Sequence, residues 1–210
     1  MRILITSGPT REYLDPVRYL SNASSGRMGC AVAQAALEAG HEVVIVSGPV
    51  EIAYPAQARV IWVVSTEQMC QACLAEFDQC DGVIAVAAPC DYRPLRKAKH
   101  KLRKTGSGRL LRLVETPDIL AHLAAKKRHQ WMVGFALETE NARQRAWRKL
   151  AQKDCDLMVV NGPAAMHAEQ TQIDIIDRQG HVAASLLGPK RIVARQLFQI
   201  ISDRLIRTHR

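Results

Sequence analysis

No apolar run in the 210 residues approaches the roughly 20 needed to cross a membrane, which excludes a helical membrane protein. The opening Met1-Arg2-Ile3-Leu4-Ile5-Thr6 has no long apolar core followed by a small-residue cleavage site. It reads as a strand, not a secretion signal, and predicts a cytoplasmic protein. Cysteine is present but not in metal-site form. Cys70-x-x-Cys73 has neither a second pair nor histidines at ligand spacing, so with Cys30, Cys80, Cys90 and Cys155 it reads as thiols in a reducing compartment. The first strand is followed by no G-x-G-x-x-G, and the second ends Val46-Ser47-Gly48 without an acid, which argues against a nicotinamide oxidoreductase. The Gly-Lys-Ser/Thr of a Walker loop is missing too. There is no repeat and no low-complexity linker.

The composition, 48% apolar and 23% charged, is that of a globular protein, and the length bounds it at one domain or two small ones. Such a chain buries about 70% of its unfolded surface without needing disulfide or metal. Net charge is +9, and the excess is local. Residues 93–112 hold Arg93, Arg96, Lys97, Lys99, Lys101, Arg103, Lys104, Arg109 and Arg112 with no carboxylate, and the remaining chain balances at 20 against 20. No aromatic residue interleaves these cations after Tyr92, so a stacking platform for nucleic acid is not supported. A phosphate-bearing small ligand fits the segment as well as a polynucleotide does, and a solvated loop remains the plain alternative.

Short apolar strands alternate with helical patterns. Strands are expected at 2–6, 42–46, 58–64, 83–87, 109–114, 131–137 and 156–160, and helices at 26–39, 66–80, from 116, 141–153 and 190–207. Pro117 is expected at the first position of its helix. Residues 171–186 read as a hairpin turning at Arg178-Gln179-Gly180. This predicts an α/β fold, a Rossmann-like three-layer sandwich with a mainly parallel sheet, as one domain over 1–210. Ligands of such sheets sit beyond the C-terminal strand ends, which selects the loops after Thr6, Ala87, Leu137 and Val160.

In the first loop Ser24-Ser25-Gly26 opens a helix, where free N–H groups and the positive helix end favour an anion. Gly26 and Gly29 allow close backbone approach, and Arg18 and Arg27 add charge. Simple N-capping by Ser24 or Ser25 is the alternative. In the second loop Asp91 either holds a ligand or caps a turn. Lys149 and Lys153 share a helix face, set either to clamp phosphates or to face solvent.

The order of the segments resembles the phosphopantothenate–cysteine ligase family, also called phosphopantothenoylcysteine synthetase. The segments are Ser-Gly-Pro-Thr-Arg-Glu (7–12), Asp-Pro-Val-Arg-Tyr-Leu-Ser-Asn (15–22), Ser-Ser-Gly-Arg-Met-Gly (24–29), Asp-Tyr-Arg-Pro (91–94), Lys-Leu-Arg-Lys (101–104), Thr-Pro-Asp-Ile-Leu (116–120), Val-Gly-Phe-Ala-Leu-Glu-Thr (133–139), Lys149 with Lys153, and Asp-Leu-Met-Val-Val-Asn (156–161). The resemblance covers essentially the whole chain. It implies joining of 4'-phosphopantothenate to cysteine in coenzyme A biosynthesis through an acyl-nucleotidylate. The lysine segments look like the bacterial form, so CTP is the expected nucleotide, with Mg2+ bound mainly by its phosphates and no metal ligand expected from the protein. With Met1 directly before the first strand, a stand-alone ligase without a flavin-dependent decarboxylase domain, and without flavin, is expected.

The resemblance also assigns roles. Lys101 matches the lysine of nucleotidylate formation, and Asn22 the asparagine that acts on the acyl-nucleotidylate, where its amide donates to the oxygen gaining charge. Gly8, Ser24, Gly26 and Gly29 would hold the phosphate of phosphopantothenate, with Arg18 reaching across from a second subunit. Ala87, Ala88, Asp91, Phe135 and Asn161 would surround pantothenate and nucleotide. Pro117, Asp118, Ile119 and Leu120, with Lys149 and Lys153, would contact CTP. The terminal hairpin would join a homodimer. Two stretches depart from the family pattern: Pro89-Cys90, where Val-Ala is usual, and Met166-His167-Ala168 in place of a Phe-Gly-type segment. A diverged paralogue acting on a related phosphorylated acid is therefore the second reading, and a nucleic-acid-binding protein using residues 93–112 the third.

Overall fold

The computed structural model describes residues 1–137, 140–162 and 170–207. The elements run β1 (Arg2–Ser7), β2 (Arg11–Tyr13), β3 (Tyr19–Ser21), α1 (Arg27–Glu38), β4 (Glu42–Ser47), β5 (Arg59–Trp62), α2 (Thr66–Phe77), β6 (Gly82–Ala85) and β7 (Tyr92–Pro94). They continue with β8 (Leu113–Glu115), α3 (Ile119–Ala124), β9 (Trp131–Leu137), α4 (Ala142–Gln152), β10 (Leu157–Asn161), β11 (Gln170–Asp177), β12 (Val182–Pro189) and α5 (Lys190–Ile201).

Period-two alternation in the strands divides the interior into two cores. Ile3 and Ile5 of β1, Val43 and Ile45 of β4, and Leu157 and Val159 of β10 face one side. Leu4, Val44, Val46, Met158 and Val160 face the other. The first core is closed by α1 and α5 through Val32, Ala36, Val193, Leu197 and Ile201. The second is closed by α2, α3 and α4 through Met69, Phe77, Leu123, Ala146 and Leu150. The result is the expected three-layer sandwich.

Eight strands form one sheet in the order β12-β11-β10-β9-β6-β1-β4-β5. Strands β10 through β5 in that order pair in parallel, and the terminal hairpin adds β11 and β12 antiparallel. After β1 the chain builds outward through β4 and β5, then returns to place β6 on the other side of β1. The two directions of winding part between β1 and β6, where a crevice opens beyond their C-terminal ends.

Two small antiparallel ribbons lie outside the sheet: β2 with β3, and β7 with β8. Neither ribbon was expected. The strand predicted at 109–114 is replaced by Leu113–Glu115, because pairing with Tyr92–Pro94 sets its place. Pro117 precedes the cap of α3 and is not its first residue. Asp118 is the N-cap, and its carboxylate accepts the Ala121 N–H at 3.1 Å. The helix expected to run to Arg207 keeps α-geometry to Ile201 and widens into a π-turn over Ser202–Ile206. Among the described residues no helix is long and apolar enough to cross a membrane.

Candidate functional site

A cavity of about 650 Å3 occupies the crevice beyond β1 and β6. Its floor is the strand ends: Thr6 of β1, Ala85 of β6, Phe135 to Leu137 of β9 and Asn161 of β10. Residues 22–29, 85–92 and 115–120 form its sides, and Lys149, Lys153, Thr171 and Lys190 complete the wall.

The first turn of α1 faces this space. Its N-cap is Gly26, at φ 74°, and no side chain caps the helix. Ser24 Oγ only meets the Gly26 N–H, at 3.4 Å, so the simple serine cap is not made. The first N–H groups of α1 are left for solvent or an anion. Gly26 is required twice over. Its φ lies in the left-handed region, and a Cβ there would stand 2.8 Å from Val50 Cγ1. Gly29 also lines the cavity, but its missing side chain serves packing: a Cβ would meet Ser7 Oγ at 2.2 Å.

Lys190, at the start of α5, joins this end of the cavity with Arg27. Partial burial pushes the Lys190 ammonium pKa down, and the Arg27 charge adds to it. Thr171 is 3% exposed, and its Oγ1 has no partner among the described residues. A buried hydroxyl without a partner is costly and marks a place for a ligand or water. Neither Lys190 nor Thr171 was anticipated from the sequence. They reach the cavity only through the hairpin, and no spacing announces that.

The loop after β6 is fixed from beneath. The Ala87 N–H donates to Thr6 Oγ1 at 3.1 Å, Ala88 N–H to the Gly8 carbonyl at 2.9 Å, and Cys90 N–H to Thr10 Oγ1 at 2.8 Å. Thr66 and Thr116 hydroxyls donate to the Cys90 carbonyl at 3.2 and 2.5 Å. Pro89, which has no N–H to offer, presents its carbonyl to Asn22 Nδ2 at 2.8 Å, with the Ala88 carbonyl 3.2 Å away. The amide of Asn22 is thus engaged as donor, and its Oδ1 remains as acceptor at the cavity wall. In the Pro89-Cys90 pair both carbonyls accept hydrogen bonds and the Cys90 N–H is satisfied.

On the opposite wall Asp118 Oδ2 pairs with Lys153 Nζ at 3.1 Å, which draws α4 to the start of α3. Lys149 lies one turn earlier on the same face. Asp91 and Pro117, Ile119 and Leu120 also line this side. Among the described residues no three His, Cys, Asp or Glu side chains converge as a metal site.

Of the residues singled out in the sequence, Gly8, Arg18 and Lys101 do not line the cavity. Gly8 sits behind it, with its carbonyl on Ala88. Arg18 is tied within its own chain, to Asp15 and to the Leu102 carbonyl. Asp15 is fully buried. Burial pushes its pKa up, but N–H donors from Leu102, Val17 and Arg18, with the Arg18 guanidinium, outweigh that and hold the carboxyl well below the usual carboxylate range. Glu138 and Thr139 of the 133–139 segment, and Met166-His167-Ala168, lie outside the described residues.

Comparisons with known proteins agree with the fold. The family model described as "DNA/pantothenate metabolism flavoprotein C-terminal domain" matches residues 1–205. The coenzyme A biosynthesis bifunctional protein CoaBC of Bacillus subtilis is 39% identical over 205 residues, covering 95% of this chain and 50% of that protein. The chain therefore spans about half the length of the curated relatives it matches. A crystal structure of the C-terminal domain of a CoaBC protein superposes with TM-score 0.79 at 36% identity, covering 95% of this chain and 93% of the other. The DNA/pantothenate metabolism flavoprotein of Streptococcus pneumoniae shares the fold at 20% identity, with TM-score 0.82 over 97% of this chain and 99% of the other. The expectation of a protein without flavin is corrected here, because the matching family is by description flavoprotein-linked. With a match along nearly its whole length, the chain belongs to the DNA/pantothenate metabolism flavoprotein C-terminal domain family.

Proposed function

We propose that this chain carries the phosphopantothenoylcysteine synthetase reaction of coenzyme A biosynthesis, with CTP as the activating nucleotide. The observation that carries the reading is the uncapped first turn of α1, flanked by Lys190 and Arg27 and opening into the cavity at the β1/β6 crevice. That end suits a phosphomonoester. The far wall, with Lys149 and Lys153 near Asp118, suits a second, polyphosphate-bearing ligand. Two anionic substrates meeting over the strand ends is what an acyl-nucleotidylate mechanism needs.

In the first step the carboxylate oxygen of phosphopantothenate attacks the α-phosphorus of CTP, and pyrophosphate leaves. Lys101 would offset the charge that gathers as two anions meet. In the second step the cysteine amine attacks the acyl carbonyl, CMP leaves, and the amine gives up a proton. Asn22 is suited to this step in a particular sense. With Nδ2 engaged by the carbonyls of Ala88 and Pro89, its Oδ1 would accept a hydrogen bond from the incoming amine and orient it. That differs from an amide donating to the oxygen that gains charge. Thr171 Oγ1 and Asn161 supply further polar contacts for the pantothenate arm. Mg2+ would ride on the triphosphate and neutralise its charge.

A homodimer through the hairpin fits this reading. β12 is an edge of the sheet, and Leu187 on it is 70% exposed. The test is pyrophosphate release by the purified chain with phosphopantothenate, Mg2+ and either CTP or ATP. CTP-dependent release supports the reading, ATP-only release overturns the nucleotide, and no release with either overturns the function.

A further inference from the structure

Arg18 and Lys101 stand off the cavity wall, yet they share one anchor. Asp15 lies in the turn of the β2–β3 ribbon. Its Oδ1 accepts N–H groups from Val17 at 2.8 Å and Arg18 at 2.9 Å, the bonds of an ordinary Asx turn. Its Oδ2 does something such a turn does not need. It accepts Arg18 Nε at 3.0 Å and Nη2 at 2.7 Å, and the backbone N–H of Leu102 at 3.1 Å, 87 residues away. Arg18 Nη2 also donates to the Leu102 carbonyl. The Ala98 N–H donates to the Leu14 carbonyl at 2.9 Å. Both polar backbone groups of Leu102 are therefore held by one buried acid and its arginine.

The basic segment cannot supply this anchor itself, since residues 93–112 contain no carboxylate. The ribbon that does supply it is held at its base: Glu12 Oε1 accepts the Thr66 N–H at 2.8 Å, and Thr10 and Thr66 hydroxyls meet at 2.8 Å. The strand β3 then runs straight into Asn22 at the cavity wall. One ribbon thus ties the segment bearing Lys101 to the residue assigned to the second half of the reaction.

We propose that Asp15, acting through Arg18 and the backbone of Leu102, is a positioning residue that holds Lys101 for the nucleotidyl-transfer step. The proposal rests on the synthetase reading for what Lys101 does, and on geometry alone for the clasp.

The test uses the intact chain with Asp15→Asn, and Asp15→Glu as the second variant, which keeps the charge and displaces the carboxylate by one methylene. Trypsin cleavage after Lys101, measured against cleavage after Arg109 as internal reference, reports the clasp without any activity. It should rise severalfold in both variants. Pyrophosphate release should fall on the order of 10- to 100-fold, as expected for a misplaced catalytic group. Aminolysis of preformed acyl-cytidylate by cysteine should stay within about twofold, because Asn22 is untouched. Unchanged cleavage after Lys101 in a folded variant overturns the clasp. Faster cleavage with equal losses in both half-reactions overturns the positioning role, since it marks general loosening. Wild-type protein that releases no pyrophosphate sinks the synthetase reading instead, and the cleavage comparison still decides the clasp. If Asp15→Asn does not fold, Asp15→Glu decides alone.

Discussion

Replacing Gly29 by alanine tests how α1 is seated over the site. The added Cβ would lie 2.2 Å from Ser7 Oγ, 2.7 Å from Ser7 Cβ and 3.3 Å from Ser7 Cα. Rotation of the Ser7 side chain relieves only the first of these. Ser7 is fully buried at the end of β1, with Oγ on the Gly26 carbonyl at 3.3 Å, so strand and helix must separate. Overpacking of this kind costs up to about 3 kcal/mol, and alanine returns at most about 1 kcal/mol in helix propensity. The net destabilisation is about 2 kcal/mol, or roughly 4–8 °C in Tm for a chain of this size. Because the displaced turn is the one facing the cavity, the KM for phosphopantothenate should rise while that for CTP moves little. Thermal unfolding and steady-state kinetics of Gly29→Ala measure both. Adding Ser7→Gly should recover about 1 kcal/mol or more of the loss through direct coupling. A Gly29→Ala protein as stable as the wild type would refute the tight strand–helix contact and with it the reason for glycine at this position.

Asp118→Ala removes both the N-cap of α3 and the partner of Lys153, and should cost about 0.5–2 kcal/mol in urea unfolding. Lys153→Ala should cost under about 1 kcal/mol, since the ion pair is partly exposed, but should weaken CTP at least tenfold in equilibrium binding. The thiols set a pH dependence. Burial pushes Cys155 up to about 12 and Cys80 to about 11, above the roughly 8.5 of an unfolded cysteine. The folded state keeps these protons while the unfolded state loses them, so their contribution is intact below about pH 8.5 and is lost as pH rises toward the folded values. Urea midpoints should fall between pH 8 and 10, and the buried thiols should resist an aromatic disulfide reagent until denaturant is added. Flat midpoints with immediate labelling would contradict that burial.

The alternation of strands and helices was legible because Ile3/Leu4/Ile5 and Val43/Val44/Ile45/Val46 are wholly apolar and the helices between them are amphipathic. The hairpin was legible from the alternation around Arg178-Gln179-Gly180. The two ribbons were not. Three-residue strands carry no period, and what holds them is remote: Glu12 on Thr66, and Asp15 on Leu102. Motif order led to most of the cavity wall, including Asn22, Asp91, Asn161 and the 149/153 lysines. Gly29 lines the cavity while its missing Cβ answers Ser7, and Arg18 and Lys101 stand off the wall, with Arg18 tied to the Leu102 carbonyl. Lys190 and Thr171 escaped because hairpin pairing, with Thr171 opposite Gly188, brings them in and no local pattern marks them. The flavin expectation rested on where the chain starts, which carries no information about the family.

The proposed reaction turns on an activated acyl intermediate formed in this cavity, which mass spectrometry of a cysteine-free reaction would detect. With phosphopantothenate, Mg2+ and CTP, 4'-phosphopantothenoyl-CMP should accumulate and be consumed to phosphopantothenoylcysteine and CMP when cysteine is added. Folded protein that binds CTP yet yields neither the intermediate nor, with cysteine present, the product would contradict it.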